Sequence, residues 1–445
     1  MRIRDVAIGA NASMYYRLDF DRIKGVYYPK TEQEVVAAIA HARANGFSVT
    51  PKGGGSGLSG ACTGGNEERV MISSLQIKNI LRVSKDRGYI DVQPGITPDE
   101  INEFLQPMGM RFHMTPSSRD IATVGGLLST DGGGNDAWFN GTMRDSTIRV
   151  KMVLYDGSRF TVDWKGVKSS NTELEDRLNE KKVTIHDVAC SHGTMGFIAE
   201  LRLAIKPETN EPLVGAIIEF DDYDALGKFI LRMIDVKCPV KYSEAIVMAH
   251  EDIREDLKPP LLIMQFPEDF ELGLFDSRTR RLERARLERL KDYRIKMAKR
   301  NPNTGMQVSL FEDYGFHDEN LANLQHTIDE IESLLMSHGF APFAKYGHAP
   351  SKWYLGDNSA AYGLLMHSNE IRPEGKTRQE TYQAVKDIVK KCDELGVTPK
   401  PEHKWLYSDE VKKARIEDIR GVIGRGFNPF IFEPDCASDT LSSML

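Results

Sequence analysis

The stretch Pro51-Lys-Gly-Gly-Gly-Ser-Gly-Leu-Ser-Gly60 places five glycines in ten positions, directly after an extended run that ends near Thr50. Without a Cβ, such positions let backbone N–H groups turn inward and approach a diphosphate closely. No Gly-Lys-[Ser/Thr] follows, so the loop is not a Walker A loop. Its spacing, with no helix opening at its end, does not match the Rossmann fingerprint either. Upstream, residues 26–50 read as strand, helix, strand: Thr31 and Glu34 carry a capping-box signature, Val35, Ile39 and Ala42 share one face, and Gly46 stands where the helix should stop.

Downstream, short alternating strands are expected at 69–74, 80–84 and 89–93. Thr97-Pro-Asp-Glu100 opens a helix that stops near Gly109. A second glycine-rich bend, Thr123 to Gly134, follows Pro116-Ser-Ser-Arg-Asp120 and precedes a hairpin with strands at 149–155 and 159–162 around Asp156-Gly157. A third, Gly193-Thr-Met-Gly196, leads into a strand reaching Lys206. Beyond about residue 208 the elements lengthen. Strands are expected at 213–220, 241–248, 261–266, 341–345 and 361–367, with helices at 222–236, 276–298, 318–337, 378–395 and 408–423. This order predicts an α+β fold whose second part is an antiparallel sheet with helices on one face.

Composition narrows the function classes. With 445 residues, 40% hydrophobic and 28% charged, the chain is long enough for two or three domains and too apolar for a disordered one. A net charge of -7 argues against nucleic-acid binding. Apolar runs such as Pro260–Met264 are far below spanning length, and the N-terminus has no apolar leader core, so a cytoplasmic location is expected. Cys62, Cys190, Cys238, Cys392 and Cys436 are scattered with no Cys-x-x-Cys pair, which argues against a disulfide framework and an iron–sulfur cluster. Residues 278–300 carry eleven Lys or Arg against three acids. That segment suits a solvated helix, an anionic substrate, an acceptor subunit or the surface of an anionic membrane.

Taken in order, the three glycine-bearing segments resemble the FAD-binding domain of the vanillyl-alcohol oxidase superfamily. The nearest branch is that of D-lactate dehydrogenase, the glycolate oxidase flavin subunit and D-2-hydroxyglutarate dehydrogenase. The resemblance implies a two-subdomain FAD-binding domain over 1–207, an α+β cap domain over 208–396 and a C-terminal segment, 397–445, returning to the FAD site. It implies that Lys52, Gly53, Gly54, Gly55, Ser56, Gly57, Ser59 and Gly60 hold the FAD diphosphate. Pro116, Ser117, Ser118, Thr123, Gly125, Gly126 and Ser129 would line the cofactor, and Gly193, Gly196 and Ile198 would close over its adenine half. Asp131 and Gly132 stand where the family has Asn and Ala, and Asp131 is expected either to disturb a flavin contact or to face water. Histidyl-linked members carry His where the first loop has Gly, and the second stretch holds no Cys, so non-covalent FAD is expected, with Cys62 the remaining candidate for a tether.

In the second half, Glu402-His403 resembles half of the family's Glu-His-Gly-Ile-Gly motif, which implies His403 as base and Glu402 as a metal ligand. His348 matches the first His of Gly-His-x-Gly-Asp-Gly-Asn-x-His; the second is displaced, with His367 further on. His348 and Glu402 are therefore the candidates for a divalent metal, a short ligand set for zinc or manganese. Arg300 resembles the family's carboxylate-gripping arginine, and Asn428-Pro429 its closing Asn-Pro-Gly, which implies Asn428 at the flavin. The implied activity is oxidation of a D-2-hydroxy acid such as D-lactate or glycolate to the 2-oxo acid. Electrons would pass to an external quinone, cytochrome or iron–sulfur subunit. Two other readings keep the FAD domain: an aryl- or sugar-alcohol oxidase, and an electron-transfer subunit with no substrate oxidation of its own. Oligomeric state is open.

Overall fold

The computed structural model describes residues 22–57, 61–62, 67–209, 211–248, 258–270, 279–284, 286–291, 308–371, 378–399 and 410–428. Three strands, Ile23–Tyr27, Ser48–Lys52 and Arg69–Ser73, form a parallel sheet in the order first, third, second. Parallel neighbours need a crossover, and the helix Glu32–Ala44 provides the one between the first two strands. It buries Val35, Ala38, Ile39 and Ala42 against Val49, Val70 and Ile72. The Thr31 hydroxyl accepts from Glu34 N at 3.2 Å, while the Glu34 carboxylate accepts from Lys30 N at 2.6 Å. Gly46, at φ +70, ends the helix in a conformation few L-residues adopt.

A six-stranded antiparallel sheet follows, in the order Ile80–Ser84, Tyr89–Val92, Phe197–Ala204, Thr147–Val153, Arg159–Asp163, Val167–Ser169. Its core takes in Ile101 and Leu105 of helix Pro98–Leu105, where Thr97 and Glu100 complete a reciprocal cap. Ile419 and Ile423 of the helix Glu410–Ile423 enter the same core, so the chain returns to its first half after building the second. The glycine stretch 123–134, expected as a bend, instead opens with the helix Val124–Thr130. The Thr123 hydroxyl accepts from Gly126 N at 3.3 Å, and a Cβ on Gly125 would come 2.7 Å from Pro94 Cβ. Gly125 is there for a close approach, not for a turn.

The second half is an eight-stranded sheet, antiparallel throughout, in the order Arg280–Leu282, Leu213–Glu219, Leu261–Pro267, Tyr242–Met248, Ala341–Tyr354, Ala360–Ile371, Val308–Phe316, Thr398–Pro399. Ala245, Val247, Leu262, Met264, Tyr314 and Phe316 turn one face toward the helices Tyr223–Asp235, Leu324–Ser337 and Arg378–Glu394. The mixed architecture and antiparallel sheets agree with α+β. Four expectations need correction. The helix expected over 276–298 is interrupted by strand Arg280–Leu282, because the open edge of strand Leu213–Glu219 takes a pairing partner that local propensity does not foresee. The helix expected over 318–337 is two, Asp318–Ala322 and Leu324–Ser337, broken at Asn323. The strands at 341–345 and 361–367 extend to Tyr354 and from Ala360 to Ile371 as one long hairpin. Strand Val308–Phe316 was not anticipated, since Glu312-Asp313 and Gly315 spoil its alternation.

The helix Tyr223–Asp235 sits so close to its neighbour that a Cβ on Gly227 would fall 1.9 Å from the Leu321 carbonyl oxygen. Gly227→Ala should therefore lower the denaturation midpoint, costing about 2 kcal/mol by overpacking. Equilibrium urea unfolding measures it.

Candidate functional site

The first glycine loop locks into the second segment. A Cβ on Gly53 would lie 2.3 Å from Thr123 Oγ1 and one on Gly54 would lie 2.0 Å from the Ile121 carbonyl oxygen. The turn that delivers Ile121 is closed by Ile121 N and Ala122 N donating to Ser118 O. The third segment arrives from the other side: Cys190, His192, Gly193 and Gly196 all have positive φ, and a Cβ on Gly193 would lie 3.4 Å from Pro51 Cδ. Asn428 ties the set together. Its backbone N donates to Val49 O at 2.9 Å, and its Nδ2 donates to His192 O at 2.8 Å and Ala61 O at 3.1 Å. Lys52, Gly53, Gly54, Thr123, Gly126, Gly193 and Asn428 thus share one neighbourhood.

Other expected residues fall differently. The Ser129 hydroxyl donates to Gly125 O at 2.8 Å within its own helix, and Ile198 packs in the core of the six-stranded sheet. Ser59, Gly60, Arg300, Glu402 and His403 lie outside the described residues.

This cradle fits FAD. Gly53, Gly54 and Gly193 interlock the segments, whereas Gly57 has nothing within 4 Å of where its Cβ would be, which leaves the loop's backbone approachable on that side. Asn428 Oδ1 and Thr50 Oγ1 are buried with no hydrogen-bond partner among the described residues. Each such atom costs about 1–3 kcal/mol unless a ligand satisfies it.

Asp131 is buried, so it does not face water. It ends helix Val124–Thr130 at φ +54 and accepts from Arg144 Nε at 2.6 Å and Arg144 N at 3.0 Å, with both side chains buried. The Arg144 guanidinium also lies over the Tyr354 ring at 4.2 Å and donates to Asn358 Oδ1 at 3.2 Å. Asp145 accepts from Lys352 Nζ at 2.7 Å and Tyr354 OH at 2.6 Å. The tip of the long hairpin is therefore pinned to the segment just after the cradle.

His348 lies on the central strand Ala341–Tyr354, 4% exposed. Its Nδ1 is 3.7 Å from Glu244 Oε2, and its ring meets that of His367 edge to face at 5.3 Å. Glu244, 1% exposed, accepts from Asn135 Nδ2, which belongs to the run after Gly134. Sequence reasoning missed Glu244, Asn135 and Arg144. Among the described residues no group of three His, Cys, Asp or Glu side chains could hold a metal ion. The four described cysteines are free thiols.

Two outcomes are expected. Asp131→Asn leaves the Arg144 charge buried without its counter-ion and should destabilise by about 3 kcal/mol in urea unfolding. Lys412, buried on the C-terminal helix and donating to His186 O, has its pKa pushed down from 10.5 to about 8 by burial and then by the Arg144 guanidinium. Below pH 8 folded and unfolded chains are both charged there, and the burial penalty is carried in full. Between about 8 and 10.5 the folded state gives up the proton first, and the penalty is relieved. Lys412→Met should thus gain on wild type at neutral pH and lose that advantage as pH rises through this window, measured as melting temperature against pH.

Residues 23–163 match the FAD binding domain family. The chain is 28% identical over 163 residues to D-2-hydroxyglutarate dehydrogenase of Escherichia coli, covering 36% of this chain and 15% of that one. It is 29% identical over 192 residues to D-lactate dehydrogenase of Archaeoglobus fulgidus, covering 43% and 41%. It is 24% identical over 214 residues to glycolate oxidase subunit GlcD of Bacillus subtilis, covering 48% and 43%. The matched stretches span less than half the length of each of these relatives. No described helix is long and apolar enough to cross a membrane. Cradle and match fall on the same part of the chain: residues 23–163 are similar to the FAD binding domain family, and FAD is the cofactor.

Proposed function

We propose that this protein oxidises a D-2-hydroxy acid of the D-lactate or glycolate type to the 2-oxo acid, with residues 1–207 as the FAD-binding domain, 208–396 as the cap and 397–445 as the returning segment. The observation that carries the reading is the convergence of Gly53, Thr123, Gly193 and Asn428 in a domain matched to FAD binding, supported by relatives named for D-2-hydroxy acids. FAD, when bound, accepts the hydride from C2.

The chain's own residues do the rest. The Lys52–Gly60 loop and Asn428 hold the cofactor against the first domain, and the buried junction between that domain and the eight-stranded sheet keeps water from the reacting centre. Arg300 grips the substrate carboxylate with two N–H groups. His403 takes the hydroxyl proton, Glu402 is the motif's metal-ligand position beside it, and His348 contacts the substrate's polar end. The roles of Arg300, Glu402 and His403 rest on the sequence motifs. Electrons then leave to an external quinone, cytochrome or iron–sulfur partner.

Purified flavoprotein mixed anaerobically with D-lactate or glycolate should bleach at the flavin absorbance. No bleaching by any 2-hydroxy acid, with reduction only when partner proteins are added, would leave the electron-transfer reading standing instead. His403→Ala should slow that bleaching by about 10²–10⁴-fold. Arg300→Ala should act mainly on the Michaelis constant, and an unchanged constant would favour the alcohol-oxidase reading.

A further inference from the structure

The two faces of the eight-stranded sheet differ in a way the fold alone does not require. One is covered by helices over a largely apolar core, with Lys345 on it paired to Glu332 of helix Leu324–Ser337. The other is apolar at two patches, Ile217, Ile246, Leu261, Ile263 and Leu287 on one side and Trp353, Ala361 and Leu365 on the other. Between them, on the adjacent strands Tyr242–Met248, Ala341–Tyr354 and Ala360–Ile371, sit Glu244, Tyr346, His348 and His367, all at most 4% exposed. Register sets them side by side. Ala245 pairs with Gly347 and Ile246 with Tyr346, which puts Glu244 across from His348, while Tyr346 pairs with His367.

Burying a carboxylate and two imidazoles at a sheet centre costs several kcal/mol before pairing is counted. Leucine or valine at these positions would extend the flanking patches at no such cost. Asn135, from the segment following the cradle, reaches this cluster from outside the sheet: it donates to Glu244 through Nδ2, and its carbonyl accepts from Ser243 N at 3.2 Å.

We infer that Glu244 is a positioning residue for the proposed oxidation: its Oε2 lies 3.7 Å from His348 Nδ1, past hydrogen-bond length, and biases the imidazole electrostatically so that Nε2 serves the polar end of the hydroxy acid, while Asn135 registers the Glu244 carboxylate to the flavin-binding half. This deepens the proposed function and rests on it. A carboxylate on one side and a perpendicular His367 ring on the other narrow the orientations open to the imidazole before substrate arrives.

The test joins a kinetic cycle to a readout that needs no turnover. Anaerobic flavin reduction is followed in wild type, Glu244→Gln, His348→Ala and the double variant, with FAD content and melting temperature checked in each. Glu244→Gln is expected to slow the limiting reduction rate about 10–100-fold with FAD content unchanged. The double variant should be no slower than His348→Ala alone, because Glu244 acts through His348. Glu244→Asp should recover part of the rate. Additive losses, or a Glu244→Gln variant as fast as wild type, would overturn the inference. Should Glu244→Gln not fold, Asn135→Ser removes the same restraint from the other side and is held to the same non-additivity.

Nitrogen-15 histidine NMR of the cofactor-free protein separates this idea from the functional reading. A moved His348 Nδ1 resonance in Glu244→Gln supports the positioning contact even if no hydroxy acid bleaches the wild type, in which case the substrate reading alone fails. An unmoved resonance sinks the contact whatever the activity.

Discussion

The side-chain amide of Asn428 is the point through which the first half of the molecule is closed. One Nδ2 group donates to two carbonyls from segments far apart in sequence, Ala61 and His192, while the residue's backbone N donates to Val49 O beside the bridge between Phe427 and Val49. Asn428 adds to the direct interlock of the glycine-bearing segments a tie that returns from the far end of the chain. Helix Glu410–Ile423 places it by burying Ile419 and Ile423 in the core of the six-stranded sheet. Fold topology thus bears directly on the cradle: its closing residue lies just past the last helix, beyond the whole second half of the chain.

The second constraint is electrostatic. Arg144 is a buried cation held by Asp131, by the Tyr354 ring and by Asn358, three partners from two parts of the chain. A buried pair of this kind contributes little net stability, because desolvation offsets most of the Coulomb gain, yet leaving either partner alone is costly. Its effect is geometric: the hairpin tip can sit in one place only. Lys412 adds a second buried cation nearby, and its depressed pKa shows that the surrounding carboxylates do not fully compensate it.

How much of this was legible in the sequence divides along physical lines. Local rules worked where they governed the outcome: Thr97, Pro98 and Glu100 dictate a helix start that tertiary packing only ratifies. The glycine segments and Asn428 could be singled out as a set in the sequence, and the fold brings Gly53, Thr123, Gly193 and Asn428 into one neighbourhood. What stayed hidden was non-local. Gly125 reads as a bend residue but is a close-packing one, since nothing in the sequence reports that Pro94 lies against it. Asp131 reads as a departure from a motif, and only the fold brings Arg144 to it. Strand Arg280–Leu282 reads as helix because its partner is more than sixty positions away. Glu244 is invisible for the same reason: alternation marks its strand, but a lone Glu there is indistinguishable from a solvent-facing one until the neighbouring strands are in register.

The displaced second histidine shows why a damaged motif is not a lost site. His367 lies nineteen positions after His348, further than the resembled motif would place it, and an ungapped comparison finds leucine where histidine is expected. A hairpin, however, can lengthen without changing which residues meet, provided both arms grow together and the alternation of faces is kept. Here the arms run to Tyr354 and restart at Ala360, and the extra length carries Lys352, Tyr354 and Asn358 out to Asp145 and Arg144. The two imidazoles stay on one face at 5.3 Å. Register thus brings together two imidazoles that spacing in sequence keeps apart, and the hairpin tip supplies the contacts that fix it against the first half.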